Sequence, residues 1–155
     1  LIALVQRVAE ARVAVAGEDV GRIGRGVLAL VGVERGDTRR EAERLAERVL
    51  AYRMFPDAEG RMNLSLAQVG GGLLVVPQFT LAADTTSGTR AGFSGAAAPE
   101  VGRQLFEAFL GACRARHGEV ACGRFGADMQ VSLVNDGPVT FWLQAPPPAA
   151  SRAQR

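Results

Sequence analysis

The stretch that most constrains this chain is Asn135-Asp136-Gly137-Pro138-Val139-Thr140, which sets a turn dipeptide where the flanking residues ask for a buried strand. Met129 to Val134 alternates and is rich in β-branched residues, and Val139 to Leu143 reads the same way. Pro138 brings no N–H to a sheet ladder, and Gly137 can take backbone angles closed to other residues. A Gly-Pro bond also tolerates the cis form, at a cost of only about 0.5–1 kcal/mol. On spacing alone the segment also fits an ordinary tight turn between two strands. A second motif counts against that plain reading: Pro77-Gln78-Phe79-Thr80-Leu81, at the end of the apolar run Leu73 to Val76.

The 155 residues suffice for one domain that buries roughly two-thirds of its unfolded surface. Apolar residues make up 48%, and no run of eighteen or more is uncharged and apolar. Neither a membrane span nor a secretory signal is therefore expected, and the expected location is the cytoplasm. Net charge is +2 and all 18 cationic residues are Arg. Arg binds phosphate bidentately and stacks on bases, so RNA is a compatible partner. A GC-rich coding sequence explains the same bias, and no clustered basic stripe is visible. Cys113 and Cys122 share no metal-ligand spacing and read as reduced, half-buried apolar residues. No metal site and no cofactor are expected.

Ile2 to Val8 reads as a strand, and Arg12 to Val15 with Val20 to Ile23 as a hairpin across Ala16-Gly17-Glu18-Asp19. Val27 to Val33 is apolar enough to be central. Thr38 and Glu41 have capping-box spacing, and Ala42, Leu45, Ala46, Val49 and Leu50 then recur at helical spacing. Phe55 to Gly60 is turn chemistry, and Gly70-Gly71-Gly72, with no Lys-Ser/Thr after it, reads as a hairpin loop rather than a phosphate loop. Ala82 to Ala98 is a long loop of small residues whose only large side chains are Arg90 and Phe93. Pro99 opens a second helix with an apolar stripe of Val101, Leu105, Phe106, Phe109 and Cys113. His117 at its end, the one histidine, is placed as a solvated helix-terminal residue. Strands follow at Glu119 to Arg124 and Asp128 to Val134. The expected fold is a single α/β domain over residues 1–144, a curled, barrel-like, mostly antiparallel or mixed sheet with two packed helices. Residues 145–155, rich in Pro and Ala, read as a disordered tail.

The catalytic inventory is poor. No Ser-His-Asp set, no His/Cys/Asp cluster and no paired carboxylates fall within a shared motif. Thr80 is the one hydroxyl in a distinctive position, and a Thr without a base is a weak nucleophile. Three classes remain open: an ester hydrolase, a non-catalytic module that binds RNA ends, and a small dimeric structural protein.

Four motifs taken together point further. With Gln6-Arg7-Val8 and the segment Gly123 to Val131, the two motifs above make the chain resemble the D-aminoacyl-tRNA deacylases, from Ile2 to about Leu143. Those enzymes carry Ser-Gln-Phe-Thr-Leu and Asn-X-Gly-Pro-Val-Thr, and Pro77 stands here where they have Ser. The resemblance implies hydrolysis of the ester of D-aminoacyl-tRNA, and of mischarged glycyl-tRNA, by a homodimer whose active sites lie at the subunit interface. It implies that the N–H groups of Phe79 and Thr80 face the scissile carbonyl, while Gln78, Phe125 and Met129 seat the terminal nucleotide and aminoacyl group. Gly137 and Pro138, in the cis form, are implied to enter the partner's site and exclude an L side chain, with Arg7, Asn135 and Thr140 supporting the turn. A related branch begins the first motif with Pro, carries the turn in trans and is relaxed in chirality. Phe79, Arg7 and the complete Asn135 to Thr140 motif argue for the stricter enzyme.

Overall fold

The computed structural model describes residues 1–149. The alternation that begins at Ile2 continues in one strand, β1 (Ile2–Val15), where two shorter ones were expected. Ala9 and Glu10 are both exposed between buried Val8 and Ala11, and the strand runs on through a register shift against one antiparallel partner at that point. β2 (Glu18–Ile23) returns across Ala16-Gly17, whose φ values of 51° and 82° are the left-handed pair that a two-residue hairpin requires. β3 (Gly26–Gly32) pairs antiparallel with the N-terminal half of β1.

Between β3 and the strand that lies parallel to it come α1 (Arg39–Ala51), a small antiparallel pair of β4 (Arg53–Pro56) and β5 (Met62–Ser65), and α2 (Leu66–Val69). The Glu41 carboxylate accepts the Thr38 N–H at 2.7 Å, as the capping spacing predicts. α2 is a single turn added to the two expected helices. Ser65 and Gln68 form its own capping box, and Gly70 stops it at φ 67°. The glycine triplet is thus a helix stop followed by a close approach: a Cβ on Gly26 would lie 1.9 Å from the Gly72 carbonyl oxygen.

β6 (Gly72–Pro77) runs parallel to β3, and β7 (Val120–Cys122) parallel to β6. Between them α3 (Pro99–Arg116) crosses over the sheet. β8 (Gln130–Gln144) lies antiparallel along β1, on the edge opposite β2 and β3. An added Cβ on Gly21 of β2 would sit 2.8 Å from the Cys122 carbonyl of β7, so the mixed sheet nearly closes on itself.

Successive residues of β3 and β6 feed two cores, which is why both read as continuous apolar runs. Val27, Ala29, Val31, Leu73 and Val75 face α1 and α3, where Phe109 and Cys113 are fully buried. Leu28, Leu74 and Val76 fill the inside of the curl with Val8, Val13 and Ile23. Each fully buried Val or Leu contributes about 1.5–3 kcal/mol. Val101, expected in the α3 stripe, is 43% exposed. The Cys113 thiol is pushed up to about 12 by burial.

The predicted tail does not leave the body at residue 145. Ala145 donates its N–H to the Leu1 carbonyl at 2.9 Å, and it and Pro147 are buried. Residues 150–155 lie outside the described part. No helix among the described residues is long and apolar enough to cross a membrane, and no group of His, Cys, Asp and Glu among them could hold a metal ion.

Candidate active site

β6 ends at Pro77, and the next N–H, that of Gln78, still donates to the Val31 carbonyl at 2.7 Å. The chain then turns into a short 3₁₀ segment, Phe79–Ala82, whose hydrogen bonding begins with the Leu81 N–H donating to the Gln78 carbonyl. The N–H groups of Phe79 and Thr80 precede that bond, as the first donors of a helical turn do. Gln78 donates through its side-chain amide to the Thr80 hydroxyl, which ties the two side chains of the turn together.

Beside this turn lies a cleft of about 460 Å³, walled by Gln78 and Phe79 on one side and by Phe106, Phe125 and Met129 on the other. No charged side chain lines it. Phe125 is held by two neighbours: Phe106, with ring centroids 6.1 Å apart, and Arg103, whose guanidinium carbon lies 4.9 Å from its centroid. The Met129 sulfur accepts the Arg124 N–H at 3.4 Å, and a Cβ on Gly123 would lie 2.9 Å from that sulfur. The Gly123 to Met129 segment is therefore folded tightly around its own Met. Pro77, the first residue of the Pro77 to Leu81 motif, also lines the cleft, as does Ala97, which the sequence did not single out.

The Asn135 to Thr140 motif sits elsewhere. Residues 136–139 bulge out of β8 opposite Arg7, since Val8 pairs with Asn135 and Gln6 with Thr140. The Gly137-Pro138 peptide is cis, and both residues are exposed. The expectation of two strands joined by a turn gives way to one long strand carrying this bulge. Side chains fix it from both flanks. The Asn135 amide oxygen accepts the Val139 N–H at 2.8 Å, and its NH₂ donates to the Thr140 hydroxyl at 2.8 Å. Arg7, only 13% exposed, donates from Nε to the Asp136 carbonyl at 3.0 Å and from Nη1 to the Met54 carbonyl at 2.8 Å. Met54 and Asp136 thus join the supporting set, which sequence inspection missed because carbonyl acceptors leave no residue-type signal.

The structure accordingly brings Gln78, Phe79, Phe125 and Met129 to one cleft, with Thr80 bonded to Gln78 in the adjoining turn, and separately gathers Arg7, Asn135, Gly137, Pro138 and Thr140. None of the second group lines the cleft. His117 is removed from both: its Nε2 lies 2.6 Å from the Gly71 carbonyl, a partly buried contact that ties the end of α3 to the start of β6.

The family model described as D-Tyr-tRNA(Tyr) deacylase matches residues 4–144. The chain belongs to that family. A D-aminoacyl-tRNA deacylase of Methylococcus capsulatus is 65% identical over 147 residues, covering 95% of this chain and 96% of that protein. One of Azotobacter vinelandii is 66% identical over 143 residues, with 92% and 99% covered. Among solved structures, one titled c-Myc DNA Unwinding Element Binding Protein superposes with a TM-score of 0.90 at 36% identity, covering 94% of this chain and 99% of that one. A probable eukaryotic D-amino acid tRNA deacylase superposes at 0.78 with 19% identity, covering 93% and 98%, which is a likeness of fold. The deacylase family's match spans both motif groups, the cleft and the bulge alike.

Proposed function

We propose that this protein hydrolyses the ester bond of D-aminoacyl-tRNA, releasing tRNA and a free D-amino acid, and that it does so as a homodimer in the cytoplasm. The observation that carries the reading is a chargeless cleft walled by Gln78 and Phe79, at a turn whose Phe79 and Thr80 N–H groups take no part in its helical bonds. Those of Phe79 and Thr80 are aimed, in this reading, at the oxygen that becomes negative when water attacks the ester carbonyl. Oriented N–H groups stabilise such an oxyanion, and removing one typically costs about 10²–10³ in rate. Gln78, Phe125 and Met129 seat the terminal adenosine and the aminoacyl group. Pro77 has no hydroxyl or N–H to contribute, so the backbone beyond it carries the chemistry. The substrate's own 2′-hydroxyl, adjacent to the ester, helps activate the water, which accounts for the absence of a protein base.

The bulge of β8 completes the site from a second subunit. It is exposed and lies outside its own cleft; Arg7 holds the Asp136 carbonyl and Asn135 holds the Val139 N–H, which fixes the backbone between them. Inserted across the dimer, a Gly137 or Pro138 carbonyl accepts from the substrate ammonium while the backbone occupies the space an L side chain needs. Rigid exclusion discriminates without any side-chain contact. Glycine has nothing to clash, so glycyl-tRNA is a second substrate.

The test is hydrolysis of D-tyrosyl-, L-tyrosyl- and glycyl-tRNA by purified protein in chelator. Loss of the D and glycyl substrates with L spared is the expected result. Cleavage of L-tyrosyl-tRNA overturns the stereochemical filter, and an intact D substrate overturns the hydrolase.

A further inference from the structure

Phe79 and Phe93 are two of the most exposed large apolar side chains among the described residues, at 63% and 45%, yet they lie against each other with ring centroids 5.3 Å apart and a tilt of 40°. Neither belongs to a core cluster. Phe79 is at once a wall of the cleft and one half of this pair, so the pair continues the cleft outward. Phe93 is carried by the long loop after the catalytic turn, and that loop is fastened. Asp84 and Gly92 exchange two backbone hydrogen bonds of 2.7 and 2.9 Å, and the Ala97 N–H donates to the Val33 carbonyl at 3.1 Å. Arg90 is exposed at the tip of the hairpin so formed, putting a cation three residues from Phe93.

An exposed, pre-positioned aromatic pair with an exposed cation on the same loop has the chemistry of a stacking platform for an unpaired base, in which the ring faces accept any base and the cation answers the backbone phosphate. We infer that Phe93, with Phe79, binds the base that precedes the terminal adenosine of the tRNA. This extends the deacylase reading and rests on it: the cleft takes the aminoacyl-adenosine, and the aromatic step takes the next nucleotide. The observation behind the choice of an RNA base over a protein partner is the continuity of the step with a cleft sized for a nucleoside, together with Arg90.

Two substrates separate the possibilities: D-tyrosyl-tRNA, which has the preceding nucleotide, and D-tyrosyl-adenosine, which lacks it. Phe93→Ala is expected to raise KM for the tRNA about tenfold with kcat held within about twofold, since losing one base–aromatic stack is an effect of that order. On D-tyrosyl-adenosine its kcat/KM should stay within about twofold of the parent, and Phe93→Trp should restore the tRNA value. An equal loss on both substrates overturns the inference, because Phe93 then only props the Phe79 turn. So does no loss on either. A fall in the dimer's mass by sedimentation, specific to Phe93→Ala, overturns it too by assigning the pair to subunit contact. Failure of the unmutated protein on both substrates is a different result, which removes the deacylase reading itself.

Discussion

The cleft turn at Phe79–Ala82 and the bulge at Asp136–Val139 both present backbone to solvent, but they are held by opposite means. The bulge is clamped by side chains: a mostly buried guanidinium on one flank and an amide bridging its two ends on the other. The cleft turn is set mainly by main-chain bonds at the end of β6, with one side-chain bond from Gln78 to Thr80, and its Phe79 ring is left exposed as a surface. A segment whose task is to exclude a shape needs rigidity in its own carbonyls. A segment whose task is to meet developing charge needs donors left open, so the neighbouring side chains are better used on the ligand than on the turn.

Substitutions on the two sides should therefore behave differently, most severely within the bulge. An added Cβ on Gly137 would lie 2.7 Å from Val139 Cγ2 and 3.1 Å from Arg7 Nη2, at a φ of 135° that L residues rarely adopt. Gly137→Ala is expected to lower kcat/KM on D-tyrosyl-tRNA by at least about 10²-fold, the order of a misplaced site. Near-parental turnover would show that the bulge is not a rigid filter. Arg7→Ala removes donors to two carbonyls, and a charged hydrogen bond contributes about 1.5–3 kcal/mol, so chemical denaturation should show a loss in that range together with faster cleavage of L-tyrosyl-tRNA. Asn135→Ala leaves the Val139 N–H without its acceptor and should cost about 1–2 kcal/mol by the same assay. On the cleft side, Thr80→Ala should change kcat by less than about threefold, because the N–H and not the hydroxyl meets the substrate. A fall of about a thousandfold in single-turnover rate would make the hydroxyl a nucleophile and erase the contrast.

Much of this architecture can be read from residue patterns. The apolar runs of β3 and β6, the Thr38 to Glu41 cap and the Pro99 helix start are local physics, and the structure agrees with each. Local reading fails where distant partners decide. β1 and β8 run longer than their parts suggest because each supports the other along nearly its whole length, and tertiary pairing carries β8 through a Gly-Pro that alone reads as a stop. The parallel placement of β6 beside β3 depends on the crossover through α1, which no residue announces. The cleft residues were legible through motif resemblance, whereas Ala97, Phe106 and the Phe79–Phe93 contact were not, since a small-residue loop gives no pattern until it is folded back on the sheet.

The burial of Cys113 makes the fold a proton-retaining device at high pH. In the unfolded chain the thiol ionises near the ordinary value of 9.0, while in the folded chain it holds its proton to about 12. Between those values the native state binds more protons than the unfolded one, so stability falls as pH rises, by up to about 1.4 kcal/mol per pH unit, and is unaffected below the lower value. Alkaline unfolding followed by fluorescence of Trp142 should show that slope, and Cys113→Ala should flatten it. The same retention keeps the thiolate, and with it alkylation and disulfide exchange, out of reach for as long as α3 stays packed.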